Sequence, residues 1–108
     1  MHLLLDESLP VKLRRSLTSH NVRTVVDMEW SGVKNGGLLA LAAKQFDTFV
    51  TVDKNLPYQQ NLTTLPIAVL VLDCVSNALQ ALHAPLPALE RALSTLGPRI
   101  YVLVEVGA

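Results

Sequence analysis

A single cysteine, Cys74, is all the thiol that this 108-residue chain carries. One cysteine excludes an intrachain disulfide and a cysteine-based zinc site, and a buried spectator thiol is its expected role. The histidines His2, His20 and His83 are scattered and form no ligand pair at helical spacing. Formal net charge is zero, which excludes a protein that grips nucleic acid by bulk charge; such binding needs a local patch. The longest apolar runs, Leu38 to Ala43 and Ile67 to Leu72, fall far short of the roughly 20 residues of a membrane span. No basic segment followed by a long apolar core opens the chain, so a signal peptide is not expected and a cytoplasmic protein is. Three nucleotide and hydrolase signatures are missing as well. Ser31 to Gly37 lacks the order of a phosphate loop. No dinucleotide glycine pattern follows the first apolar run, and there is no nucleophile elbow.

Half of the residues are apolar, enough for the core of one domain spanning residues 1–108. Four apolar runs each stop on an aspartate: Leu3–Leu5 before Asp6, Val22–Val26 before Asp27, Phe49–Val52 before Asp53, and Ala68–Leu72 before Asp73. Short apolar runs separated by helix-like segments read as buried parallel strands. Leu9, Leu13 and Leu17 line one face of a first helix beginning near Pro10. A long loop from Asp27 to Gly37 precedes a second helix over Leu38 to Phe46, with Leu38, Leu39, Ala42 and Phe46 turned to the sheet. One or two helical turns are expected near Pro57, and a short helix over Asn77 to His83. A final helix runs from Pro87 to Leu96, stopped by Gly97-Pro98. Ile100 to Val106 is a fifth strand whose alternation suits an edge. Right-handed crossovers then give an α/β fold, a three-layer α/β/α sandwich on a mainly parallel five-stranded sheet.

Parallel strands bring their carboxyl ends to one rim, where open α/β sheets bind ligands. Asp6-Glu7 and Asp53 are the best chemical candidates there. Gathered carboxylates repel one another unless a cation or a proton intervenes, and hard ions such as Mg²⁺ and Mn²⁺ prefer oxygen ligands. Mg²⁺ commonly needs only one or two protein carboxylates, with waters and substrate phosphates completing its shell. Such an ion polarises a phosphate and activates water, so phosphodiester hydrolysis is the reaction this pattern suits. Thr51, Lys54 and Asn55 surround Asp53, and Tyr58, Gln59, Gln60 and Asn61 follow; these side chains can hold phosphate or order a loop. Ser76 and Asn77 follow the fourth run and suit helix capping. Lys12, Arg14, Arg15 and Arg23 are one candidate for a basic patch, a substrate contact or a solvated helix face. The bland role of each aspartate is to cap the element that follows it, and Asp27 and Asp73 fit that role better than Asp6 and Asp53.

Leu4-Leu5-Asp6-Glu7-Ser8-Leu9-Pro10, Gly32-Val33-Lys34-Asn35-Gly36-Gly37-Leu38-Leu39 and Thr51-Val52-Asp53-Lys54 together resemble the signature stretches of short bacterial PIN-like proteins of uncharacterised function. Asn55 to Leu62 and Ser76-Asn77 are similar to a subgroup of that family. The resemblance covers nearly the whole chain. It implies a PIN-like fold, a Mg²⁺- or Mn²⁺-dependent ribonuclease activity on RNA, and the toxin half of a toxin–antitoxin pair, similar to VapC-type toxins. Asp6 and Asp53 would bind the metal, with Glu7 near them. Where PIN nucleases bring an acidic residue from the helix after strand two, this chain has Asn35-Gly36-Gly37; Asn35 offers only a neutral oxygen, and Glu29, earlier in the loop, is the substitute within the sequence, while strand four, which also ends differently from the family's quartet, offers Asp73.

Three functions follow as expectations. The first is a metal-dependent RNA endonuclease, with Asp6 and Asp53 catalytic, Glu7, Asn35 and Asp73 as further metal ligands, and Lys54, Asn55, Thr51, Lys12 and Arg15 on substrate. It would be restrained by a cognate antitoxin, and a homodimer is compatible with it. The second is a catalytically weakened PIN-like module acting through a protein or RNA partner. The third is a receiver-like phosphoacceptor domain, disfavoured because strand four ends in Leu72-Asp73-Cys74 and no lysine follows strand five.

Overall fold

The apolar runs pair side by side and all point one way. The computed structural model describes residues 1–7, 9, 11–17, 20–33, 35–52, 65–73, 86–95 and 101–105. Strands β1 (His2–Leu5), β2 (Asn21–Thr24), β3 (Thr48–Thr51), β4 (Ala68–Asp73) and β5 (Tyr101–Glu105) form one sheet in the order β2-β1-β3-β4-β5. Every neighbouring pair is parallel, so the α/β expectation holds and the sheet is wholly rather than mainly parallel. β5 takes the edge position that its alternation announced. The expected turns near Pro57 and the short helix over Asn77 to His83 lie outside the described residues, as does Cys74.

Strand alternation sends the core to both faces. Leu3, Leu5, Val50, Leu70 and Leu72 face one way, where they meet Leu9, Leu13 and Leu17 around a 3-10 helix (Val11–Ser16), and Leu89 and Leu93 of helix α2 (Leu86–Thr95). Leu4, Phe49, Val69 and Val71 face the other way, against Leu38, Leu39 and Ala42 of helix α1 (Asn35–Ala42). All these side chains are buried, and each large one stabilises the fold by about 1.5–3 kcal/mol relative to exposure. The central strands are apolar on both faces because both faces are covered.

The first helical segment differs from expectation in kind. Its leucines are inward as the spacing requires, but the turn winds as 3-10 over Val11–Ser16. Helix α1 starts earlier than expected, at Asn35, and ends at Ala42; a turn then carries Phe46 back against the same cluster.

The crossovers hold one further departure. The move from β1 out to β2 and the return past β1 to β3 share a hand only if their connections lie on opposite faces, and the 3-10 helix and α1 do so. From β4 to β5 the chain moves as from β2 to β3, yet α2 sits on the face of the 3-10 helix. Leu89 and Leu93 pack there, and His20 Nε2 lies 3.0 Å from Glu90 Oε2. The described helix of this connection is therefore on the face opposite to the one a single hand would give. Residues 74–85, earlier in the connection, lie outside the described set.

Candidate functional site

β1 sits between β2 and β3, whose connections leave on opposite faces. The carboxyl ends of β1 and β3 thus flank the switch point of the sheet, the place where doubly wound folds of this strand order bind ligands. Register decides which residues meet there. Leu5 pairs with Val50, so the next residue of each chain is Asp6 and Thr51. The Asp6 amide donates to Val50 O at 2.9 Å, extending the ladder one step past the strand. Thr51 Oγ1 then donates to Asp6 Oδ2 at 2.8 Å. Thr51 is fully buried and Asp6 half-buried. By alternation both lie on the α1 face, with Leu4 and Phe49 one repeat below. The rim therefore holds one carboxylate in a fixed orientation by a hydroxyl from the neighbouring strand.

Glu7 is exposed, and its Oε1 accepts a 3.3 Å hydrogen bond from the Gly32 amide. This bond ties the β1 rim to the loop after β2. Asn35 is the first residue of α1, and no acidic residue lies in that helix's first turn.

The third rim aspartate has a different occupation. Thr24 Oγ1 accepts from the Asp27 amide at 3.0 Å, while Asp27 Oδ2 accepts from the Thr24 amide at 3.0 Å. That reciprocal pair is a capping box, with Thr24 as N-cap and Asp27 three residues on. The turn it starts is closed at once. Met28 N donates to Thr24 O, Glu29 N to Val26 O and Trp30 N to Val25 O, the last two being the bonds of a Schellman motif. Glu29 occupies the left-handed position, at φ 61°. Val25 and Trp30, the residues such a motif brings together, share one apolar cluster, and Trp30 meets Phe46 edge-on at 6.2 Å between ring centroids.

Asp27 also binds Arg14 at 2.8 Å. Its carboxyl is held below the usual carboxylate value, first by the Thr24 backbone N–H; the Thr24 hydroxyl, Arg14 and Arg23 act the same way, against the desolvation of partial burial. Asp27 is thus a cap, as its sequence position suggested. Its cost to the basic patch is one cation, because Arg14 is neutralised. Arg15 is exposed on the 3-10 helix. The backbones of Lys12 and Asp73 are described but their side chains are not; register places Asp73 beside Glu105 of β5 at the rim.

Asp53, Lys54 and Asn55 lie outside the described residues, as do Tyr58, Gln59, Gln60, Asn61, Ser76 and Asn77. Among the described residues no three His, Cys, Asp or Glu side chains form a metal-binding group, and no helix is long and apolar enough to cross a membrane. No family model, no curated protein and no solved structure matches this chain.

Sequence reasoning missed three features. It ran strand two through Val26, whereas β2 ends at Thr24; the signal was Thr24-x-x-Asp27, a capping-box spacing inside an apolar run. It also left the order of the loop unread, because a left-handed Glu29 has no sequence mark. Glu105, placed at the rim by β5 register, carried no signal beyond its position at a strand end.

Proposed function

We propose that this protein is a metal-dependent RNA endonuclease whose centre lies at the β1/β3 rim. The observation that carries the reading is the Thr51 Oγ1 to Asp6 Oδ2 hydrogen bond at the switch point of the sheet. The resemblance of Leu4–Pro10 and Thr51–Lys54 to PIN-like signature stretches leads to the same reading. Asp6 and Asp53 would hold Mg²⁺ or Mn²⁺. An oxygen-only donor set of this kind fits a hard cation, which takes few protein carboxylates. When bound, the ion supplies phosphate polarisation and an activated water. The chain's own contribution is positional. Thr51 fixes the Asp6 carboxylate, and the ladder bond from Asp6 N to Val50 O fixes its backbone. Lys54, Asn55, Lys12 and Arg15 would contact substrate phosphates. Restraint by an antitoxin belongs to this same proposal.

Incubation of purified protein with single-stranded RNA and either ion is the test. Cleavage lost in an Asp6→Asn/Asp53→Asn double variant is the expected result. Absence of cleavage with both ions, or a double variant that cuts like wild type, overturns the proposal.

A second reading has its own observation. The first turn of α1 carries no carboxylate, and Glu7 is engaged with Gly32, which favours a weakened module that binds through this rim without cutting. Calorimetry separates the two: a saturable Mn²⁺ signal lost in Asp53→Asn counts for the metal centre.

A further inference from the structure

The edge of the sheet beside β2 is hollowed by two adjoining concavities of about 410 and 440 Å³. His2 and Arg23 line both. Register explains why these side chains converge. His2 pairs with Asn21 and Leu4 with Arg23, and paired residues of parallel strands project to the same side. His2, Asn21 and Arg23 therefore stand together on the face where Leu4 meets α1, which is also the face of Asp6. Half-buried Phe46 and Met28, with exposed Gln45 and Asp27, complete the wall of the second hollow.

Charge divides the arginines near this edge. Arg14 is paired with Asp27; Arg23 is exposed, makes no ion pair among the described residues and acts on the Asp27 carboxylate only through its charge. Three carboxylates lie at or beside the groove, and each is engaged: Glu90 Oε2 is 3.0 Å from Nε2 of His20, which also lines the first hollow. Asp27 Oδ2 receives the Thr24 amide and Arg14, and Asp47 Oδ2 receives the His2 amide at 2.8 Å. A guanidinium with no ion pair among the described residues, an imidazole and an amide on one face, beside an aromatic ring, form a donor set for phosphate oxygens with an apolar wall for a base.

We infer that the His2–Asn21–Arg23 groove is a phosphoester-binding subsite that holds a phosphate of the substrate strand away from the rim. As a path for RNA it rests on the endonuclease reading; as a phosphate site it does not. Arg23 supplies the paired donors, His2 and Asn21 flank it, and Phe46 and Met28 offer apolar surface to the attached nucleoside.

The test measures binding in an Asp6→Asn background, so that cleavage does not intrude. The probes are a labelled four-nucleotide oligouridylate, uridine monophosphate and inorganic phosphate. The variants are Arg23→Gln and, as a charge-matched comparison on α2, Arg91→Gln. Arg23→Gln is expected to weaken the oligouridylate at least fivefold and to reduce its salt slope by about one. Phosphate titration is expected to shift the NMR amide signals of Asn21 to Thr24 before those elsewhere, and Arg91→Gln to leave both measurements unchanged. Tighter binding of the oligouridylate than of the monophosphate assigns the subsite to a chain; equal binding assigns it to a free phosphoester. Equal loss in the two arginine variants shows bulk charge only and overturns the inference, as does no loss in either. Arg23-dependent binding in a protein that cuts no RNA would retain the subsite while removing the endonuclease proposal.

Discussion

Thr51 and Asp6, 45 positions apart in the chain, are joined by a 2.8 Å hydrogen bond across the centre of the sheet. The donor is fully buried, and its strand is held on both sides, so the hydroxyl is a rigid support for the carboxylate. Groups that orient a metal-ligating carboxylate commonly cost 10–100-fold in affinity when removed. Thr51→Val keeps the shape and the strand preference but deletes the donor. It is expected to weaken Mn²⁺ binding by about tenfold, read by calorimetry, with Thr51→Ser restoring most of it. Unchanged Mn²⁺ affinity in Thr51→Val would remove Thr51 from the centre.

Asp27 gives the fold an acid-sensitive turn. A carboxyl held low in the folded state contributes stability that is complete above its unfolded value of about 4 and is lost as pH falls through the folded value. Wild type is therefore expected to exceed Asp27→Asn in urea midpoint by a constant margin from pH 5 to 7. The margin shrinks below about pH 4. A margin that grows on acidification contradicts the direction of the shift.

Thr24→Val tests the other half of the same box. The side chain is buried, the shape is retained, and the Asp27 amide loses its acceptor. A loss of about 1 kcal/mol is expected from chemical denaturation. No loss would mean that the turn stands on its backbone bonds alone.

Glu29 carries a side chain through a left-handed backbone position, where glycine is at no disadvantage. Glu29→Gly is expected to stabilise the protein by about 0.5–1 kcal/mol, measured by the same denaturation, with the far-ultraviolet spectrum unchanged. Destabilisation would show that the Glu29 side chain contributes more than its backbone costs.

The strands were legible because each is a run of apolar residues bounded by polar ones, and burial on both faces leaves that run little choice. The inward residues of both main helices were legible for a related reason: Leu38, Leu39, Ala42, Leu89 and Leu93 are all buried. The winding of Val11–Ser16 was not, since Leu9, Leu13 and Leu17 satisfy the same apolar surface whether the turn between them is α or 3-10. The end of β2 was hidden because Val25 and Val26 continue its apolar run, while one of them is buried and the other exposed in a helical turn. At the rim, the sequence supplied Asp6 and Thr51 separately; their contact depends on β3 lying beside β1, a choice of strand order that local sequence does not contain.

That turn at Thr24 also alters how an edge strand meets solvent. Asn21 and Val25 donate inward to β1, so the outward backbone groups of β2 belong to Val22 and Thr24. At Thr24 both are already taken, the amide by Asp27 and the carbonyl by Met28. The Thr24 amide will accordingly exchange its hydrogen for deuterium as slowly as an interior one, while Val22 two residues earlier exchanges as an open edge does. A strand from another molecule approaching this side would find the last rung of the ladder already occupied by the chain itself.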